Sequence, residues 1–393
     1  MDAMDPLRQA STPRDGRNVD PQVGRLTGEA SGQRASPQRA AAALARADRA
    51  AERTASLPEE EVEGPSYHGL PVLKEPVWRW MIPAYFYTGG LAGACGVLGA
   101  AAQLAGGRGT FPLVRRCRTL AVGGAVASAG LLIADLGRPA RFIAMMRVFR
   151  PTSPMNMGTW VLASFGALSG AAALPAFLPS SRALRRAGDA AGLAAGALGL
   201  PLVGYTGVLL ANTAVPVWQE TRNTLPMLFA FSGAVSAGAA LDLWPPAGPG
   251  AEMARRFGLV AKGAEIALSR ALHREAGFER VERPLRRGAA GALLRGARIL
   301  LGASAVVDLV RRRSPALRIA SGALGTLGTL ALRFGVLAAG RASARDPHAT
   351  FELQRAGRGA AELTRKGEAP GRMPAPSGID ATGEESVEHG AIP

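Results

Sequence analysis

Large side chains are scarce in this chain. Aromatic residues make up only 5% of its 393 residues, while hydrophobic residues make up 48% and glycine alone occurs 50 times. A soluble core is filled by bulky, branched and aromatic side chains that interlock. Helices in lipid gain nothing hydrophobic by meeting one another, and associate through close contact between small residues. An apolar character built from glycine and alanine therefore points to a membrane bundle.

Metal-binding side chains are just as scarce. Two cysteines, Cys95 in an apolar segment and Cys117 in a basic loop, offer neither a CxxC pair nor a disulfide framework. They fall short of the four thiolates an iron–sulfur cluster ordinarily requires. The four histidines, at 68, 273, 348 and 389, lie outside the middle of every strong apolar segment. An integral haem needs axial ligands pointing inward from its helices, so this chain is expected to carry no haem. Met81, Met155 and Met157 read as packing residues without histidine partners. No Walker A sequence occurs, and the glycine-rich stretches lack the strand–turn–helix context of a dinucleotide fold. No metal site and no catalytic side chain for a primary substrate is expected on this chain.

Acidic residues are outnumbered, with 46 Lys and Arg against 30 Asp and Glu and a net charge of +16. In a soluble protein this balance would suggest nucleic acid. Here the arginines stand between long apolar stretches, where headgroup contact and interfacial anchoring account for them, so no nucleic-acid partner is expected. Residues 1–66 are rich in Ala, Arg, Ser, Pro and Glu and lack an apolar core beside a positive start. They read as a disordered N-terminal tail, and 341–393, similar in composition, as a mostly disordered C-terminal one. The organised domain is expected over 67–340.

Within it, about 20 apolar residues suffice for a helix to cross the hydrocarbon core. Ile82–Ala105, Met157–Leu178, Ala190–Ala211 and Ile319–Gly340 reach that length, with Cys117–Leu136 and Leu225–Leu243 close behind. Phe257–Leu272 and Ala289–Val310 carry charge and read either as crossings or as amphipathic surface helices. Inside a bundle Lys262 and Glu265, three residues apart on one helix face, would neutralise one another. The expected fold class is all-α: a polytopic membrane bundle of about eight transmembrane helices. Glycine at helical spacing (Gly89, Gly93 and Gly96; Gly233 with Ser236 and Ala237) marks faces of close helix approach. Loop arginines are nearly balanced between the two sides, the shorter loops leaning toward an extracytoplasmic N-terminus.

Three polar and aromatic stretches fall at membrane edges. "YHGLPVLKEPVWRWMIPAYFYTGG" sets Trp78, Trp80, Tyr85 and Tyr87 beside Lys74, Glu75 and Arg79. "DLGRP" stops a helix at Gly137 and leaves Asp135 near Arg138; "RPTSPMNMGTW" returns through Pro151 and Pro154, with Thr152 or Ser153 to cap, to Trp160. "ANTAVPVWQETRNTLP" adds Asn212, Trp218, Gln219, Glu220 and Arg222. Each serves either as an interfacial belt or as a wall for a polar headgroup, a quinone or a docked subunit. Counting crossings puts all three on one side.

"GLPVLKEPVWRWMIPAYFYTGGLAG", "DLGRPARFIAMMRVFRPTSPMNMGTWVLASFG", "VLLANTAVPVWQE" and "GRASARDPHATF" together resemble the NrfD and polysulfide reductase membrane-subunit family over roughly residues 67–352. The resemblance implies a haem-free, commonly eight-helix subunit in the bacterial inner membrane. It also implies partners: an iron–sulfur electron-transfer subunit, often a molybdopterin catalytic subunit, membrane lipid and the quinone pool, menaquinone or ubiquinone. Asp135 and Arg138 match the family's Asp-Leu-Gly-Arg-Pro turn, and Met155, Gly158 and Trp160 its Ser-Pro-Met approach to the third helix. Where the polysulfide reductase branch has an Asn and a His three residues apart, this chain has Ile82 and Tyr85. The quinone and docking region is accordingly expected at Tyr85, Asp135, Arg138 and Trp160, with Tyr85 a hydrogen-bond donor, Asp135 a proton carrier and Arg138 its orienting partner. Two other readings stay open: a purely structural anchor, suggested by the missing Asn–His pair, and an ion-translocating or transporter subunit, suggested by Asp242, Lys262, Glu265, Arg298, Asp308 and Arg333.

Overall fold

The computed structural model describes residues 73–350 apart from 108, 138–141, 143–145, 177, 179–180, 278, 312–313 and 348. It also describes two short strands within 1–70, Val19–Asp20 and Arg25–Leu26, which pair antiparallel. Of the disordered tails expected over 1–66 and 341–393, the first lies outside the described residues apart from those strands, and the second lies outside them from 351 onward. The other expected boundary moves, because 341–345 continue the last helix.

Helices fill the described part of 73–350. They are α1 Met81–Ala105, α2 Phe111–Leu136, α3 Pro154–Ala173, α4 Arg182–Ala211, the short α5 Pro216–Glu220, and α6 Thr224–Leu243. After these come α7 Gly250–Glu275, the short α8 Glu279–Arg286, α9 Gly288–Val310 and α10 Pro315–Arg345. Each of the eight expected segments coincides with a helix, several running a turn or two beyond the apolar stretch, while in Met157–Leu178 the α-helix ends at Ala173. Six, namely α1, α2, α3, α4, α6 and α10, are long and apolar enough to cross a membrane. Of the about eight crossings expected, six therefore stand on length and composition. The remaining two, α7 and α9, have 26 and 23 residues but carry charge.

Local chemistry sets the helix ends. Gly137 has a left-handed φ of 69° at the C-terminus of α2, a conformation that costs glycine no steric clash. At the start of α3, Ser153 accepts a hydrogen bond from Asn156 N, and Pro154 occupies the first turn, where its missing N–H goes unused. Ser181 and Ser314 cap α4 and α10 in the same way.

Small residues set the packing. α1 lies against α2, α4 and α6, and α3 joins α4, forming one group of four helices, α1–α4. A second group forms from α6, α7, α9 and α10, and meets the first where α6 touches α1 and α4. At the α1–α4 crossing a Cβ on Gly93 would stand 2.9 Å from Gly199 O, closer than real Cβ contacts allow. At the α1–α6 crossing a Cβ on Gly233 would stand 2.8 Å from Gly90 O. Only glycine lets these backbones touch, the small-residue association that lipid favours. Outward faces are greasy: Val260, Ile299, Val306 and Leu309 on α7 and α9 are each more than half exposed. Cys117, expected in a loop, is buried within α2, and both cysteines are free thiols.

Candidate functional site at the proximal end

Alternating helix direction gathers one set of termini at what we call the proximal end: the starts of α1, α3, α6 and α9 and the ends of α2, α4, α7 and α10. All three polar and aromatic stretches meet there. Asp135 Oδ1 accepts a hydrogen bond from the backbone N–H of Arg79 at 3.3 Å, tying the segment before α1 to the end of α2. Trp78, in the same segment, stacks on Trp218 of α5, with ring centroids 5.7 Å apart and planes 14° apart. Glu75 receives both Nε and Nη2 of Arg345, at 2.9 and 2.8 Å, which fastens the segment to α10 as well. That hydrogen bond holds the Glu75 carboxyl below the usual carboxylate range, with the charges of Arg345 and Arg341 acting in the same direction.

Trp218 is fully buried and donates Nε1–H to Val336 O at 3.0 Å. Gly340 makes room for it, because a Cβ there would overlap the indole ring. From Trp78 an aromatic row continues through Phe86 to Phe229, with centroids 6.5 and 5.9 Å apart. At its inner end the Arg333 guanidinium lies over the Phe229 ring, 3.9 Å from the centroid, and donates to Phe229 O at 2.9 Å. Glu275 completes this end by accepting from the N–H groups of Asn223 and Thr224, both at 2.9 Å, so a carboxylate sits on the N-terminus of α6.

The structure places the four sequence-selected residues as follows. Tyr85 is buried at 4% exposure on the face of α1 that meets α2, one turn from the bond between Thr88 and Ser128. Asp135 is half-buried at the end of α2. Trp160, on α3, sets its ring edge-on against Phe149, with the centroids 5.9 Å apart, and its Nε1 is buried without a hydrogen-bond partner. Arg138 lies outside the described residues, and the partner seen for Asp135 is the Arg79 backbone. Sequence reasoning missed Tyr205 on α4, whose ring lies so close to Gly158 that a Cβ there would overlap it. Tyr205 and Tyr85 are within electrostatic reach of one another. The signal was Gly158, a glycine early in a helix where a side chain would ordinarily pack.

A second set of polar side chains lies inside the other helix group, away from this end. Lys262 Nζ donates to Asp308 Oδ2 at 2.5 Å and to Ser321 Oγ at 3.0 Å. Asp308 also takes Ser321 Oγ at 2.6 Å and faces Arg311 at 3.2 Å, and Arg311 pairs with Asp242 at 2.6 Å. The expected neutralisation of Lys262 by Glu265 is therefore not made. A carboxylate on α9 reaches the ammonium because α7 and α9 are in contact, and Glu265 lies in the field of Arg333 on α10 instead. Glu265 Oε2, Ser232 Oγ and Nε and Nη1 of Arg333 are buried without hydrogen-bond partners. Among the described residues no three His, Cys, Asp or Glu side chains cluster as metal ligands.

Comparison with known proteins bears on the first helix group. No curated protein matches the chain. The family described as "NrfD: Polysulphide reductase, NrfD" matches residues 71–245, short of the 352 to which the motifs extend the resemblance. That stretch spans α1 to α6 and contains Tyr85, Asp135, Trp160, Tyr205 and Trp218 but none of α7, α9 or α10, so the chain is a polytopic membrane protein whose first six helices are related to the NrfD family.

Proposed function

We propose that this protein is the membrane anchor and quinone-interacting electron-transfer subunit of a multisubunit oxidoreductase in the bacterial cytoplasmic membrane. It passes electrons between a partner iron–sulfur subunit and the quinone pool, and a molybdopterin-type subunit carries the primary substrate chemistry. The observation that carries this reading is that Tyr85, Tyr205, Trp160 and Asp135 all lie in the proximal half of α1–α4, within the stretch related to the NrfD family.

Quinone, when bound, supplies the two-electron, two-proton couple. The residues present fit it: the Trp160 indole N–H is a buried donor lacking an acceptor, which a carbonyl oxygen satisfies, and the two tyrosine hydroxyls are donors in the same helix group. Tyr85 orients a carbonyl by donating its O–H. Asp135 holds a carboxylate at the proximal surface, where it takes up or releases the proton at its own oxygen. The Arg79 N–H fixes that carboxylate and couples it to the segment carrying Trp78. The same segment, held from beneath by Trp218 and tied to α10, presents a built surface for the partner subunit.

Quinone turnover by the intact complex in membranes tests the roles. Tyr85→Phe and Asp135→Asn each lower it by roughly a hundredfold if they hold and move the proton. Unchanged turnover in both variants sinks the assignment.

The buried charges favour a second reading, an ion-translocating subunit. Asp242, Arg311, Asp308, Lys262 and Ser321 form a connected polar row that runs inward from the distal ends of α6 and α9. Ionisable groups inside membrane helices commonly mark proton or ion routes. Charge movement across vesicles that contain the chain supports it, and electroneutral quinone turnover by the complex counts against it.

A further inference from the structure

At the proximal end, α1, α9 and α10 enclose a groove of about 440 Å³ to which the functional reading above assigns no ligand. Its floor comes from α10. Phe334, Leu337 and Ala338 line the deeper part and Arg341, Ala342 and Arg345 the outer part. These positions recur at three and four residues and form one continuous stripe along the helix. Read toward the membrane edge, the stripe changes from apolar to cationic.

The walls repeat that polarity. α1 and the residues just before it contribute Arg79, Trp80 and Pro83, and α9 with its preceding residue contributes Arg287, Gly288, Ala289, Ala290 and Leu293. Four guanidinium groups therefore border the mouth, and the carboxylate bound to one of them, that of Glu75 on Arg345, leaves an excess of positive charge. Arg341 Nε is buried without a partner. The N-terminus of α9 opens here too, with no side-chain cap from Arg287, so the first amides of a 23-residue helix add donors and the positive end of its dipole. Trp80, 64% exposed, sits at the rim, the headgroup level tryptophan prefers.

We propose that this groove binds one anionic phospholipid, with the phosphate among Arg79, Arg287, Arg341 and the α9 N-terminus and an acyl chain along Leu293, Phe334, Leu337 and Ala338. A cationic mouth alone would suit any phosphate. The apolar floor continuous with it selects the lipid, because a free anion leaves that floor unfilled. Two of the three helices, α9 and α10, lie beyond the stretch matched to the NrfD family.

Native mass spectrometry of the full chain in detergent, titrated with phosphatidylglycerol, phosphatidylcholine or inorganic phosphate, tests the site. Phosphatidylglycerol is expected to bind well above phosphatidylcholine, and inorganic phosphate to compete weakly. The double substitution Arg287→Gln/Arg341→Gln lowers phosphatidylglycerol affinity about 30-fold, and Arg115→Gln/Arg185→Gln at the distal end leaves it unchanged. Ala338→Trp, which fills the floor and keeps every arginine, also lowers it, and thermal melting verifies that each variant is folded. Equal retention of the two lipids, an unchanged preference in the double variant, or phosphate bound as tightly as phosphatidylglycerol overturns the proposal. So does loss of a copurifying subunit, rather than of lipid, in the double variant, which marks a protein-docking face.

Discussion

Trp78 lies face to face with Trp218, 140 residues further along the chain, and this stack joins the segment that leads into α1 to the turn that leads into α6. The two rings form the hub of the proximal end: Trp78 continues to Phe86, and Trp218 is pinned by Val336 O over the bare backbone of Gly340. Whatever binds at this end meets a surface fixed by three helices at once.

Gly340 is therefore expected to be intolerant of a methyl group. Gly340→Ala forces the buried indole to move and costs about 1–3 kcal/mol as an overpacked core position. A thermal-shift measurement on the detergent-purified chain should show lower stability than the wild type, with Gly130→Ala on α2, where a Cβ meets nothing within 4 Å, as the control. Equal melting of Gly340→Ala and wild type would mean that the ring is not held there.

Lys262 and Asp308 should be worth more as a pair than either is alone. Lys262→Met strands a carboxylate that is 2% exposed, though Ser321 and Arg311 still contact it, and a loss of about 3 kcal/mol is expected. Lys262→Met/Asp308→Leu should recover most of that loss, because both charges leave the interior together. A double-mutant cycle on unfolding free energies checks this, and additive losses contradict it.

Gly158→Ala should act on function through Tyr205. The new Cβ takes space now held by the phenol ring, so the Tyr205 hydroxyl is displaced from its present position. Quinone turnover by the intact complex is then expected to show a higher KM, about tenfold for one displaced hydrogen-bond donor. Normal KM in this variant separates Tyr205 from the quinone region.

The bond between Glu75 and Arg345 predicts a pH dependence of the leading segment. Hydrogen bonding to Arg345 lowers the Glu75 pKa from its ordinary value of 4.5, so the folded state favours the ionised carboxylate. The contribution is fully present above that ordinary value and is lost as pH falls through the lowered one. Protection of the 73–80 amides, taken relative to their unstructured exchange rates at each pH, should therefore fall in acid and with added salt, since both partners are solvent-accessible. Glu75→Gln should exchange faster at neutral pH. Equal exchange rates in the two proteins would show that the pair does not restrain the segment.

Much of this architecture could be read from composition and local pattern. The helix that ends at Gly137, the cap at Ser153 and the glycines at Gly93 and Gly233 follow from interactions within a turn or from the absence of a side chain. The six apolar crossings follow from length, because a backbone in lipid has to satisfy its own hydrogen bonds. Tyr205 was not legible, because its importance lies in facing Gly158 across two helices and nothing in its own neighbourhood announces that. Lys262 was matched to Glu265 by spacing along one helix, the only neighbour relation a sequence displays. Its actual partner, Asp308, comes from another helix 46 residues away.

By itself the sequence determined that the chain builds membrane helices from small residues, that one of them stops at Gly137, and that its polar stretches fall at membrane edges. Tertiary structure alone decided which of those residues meet. It set Asp135 under the Arg79 amide, Trp78 on Trp218, and four arginines around one apolar groove. The reason is physical: hydropathy and capping act within a few residues, whereas ion pairs, ring stacking and grooves depend on helix crossings that close glycine contacts fix only when the bundle assembles.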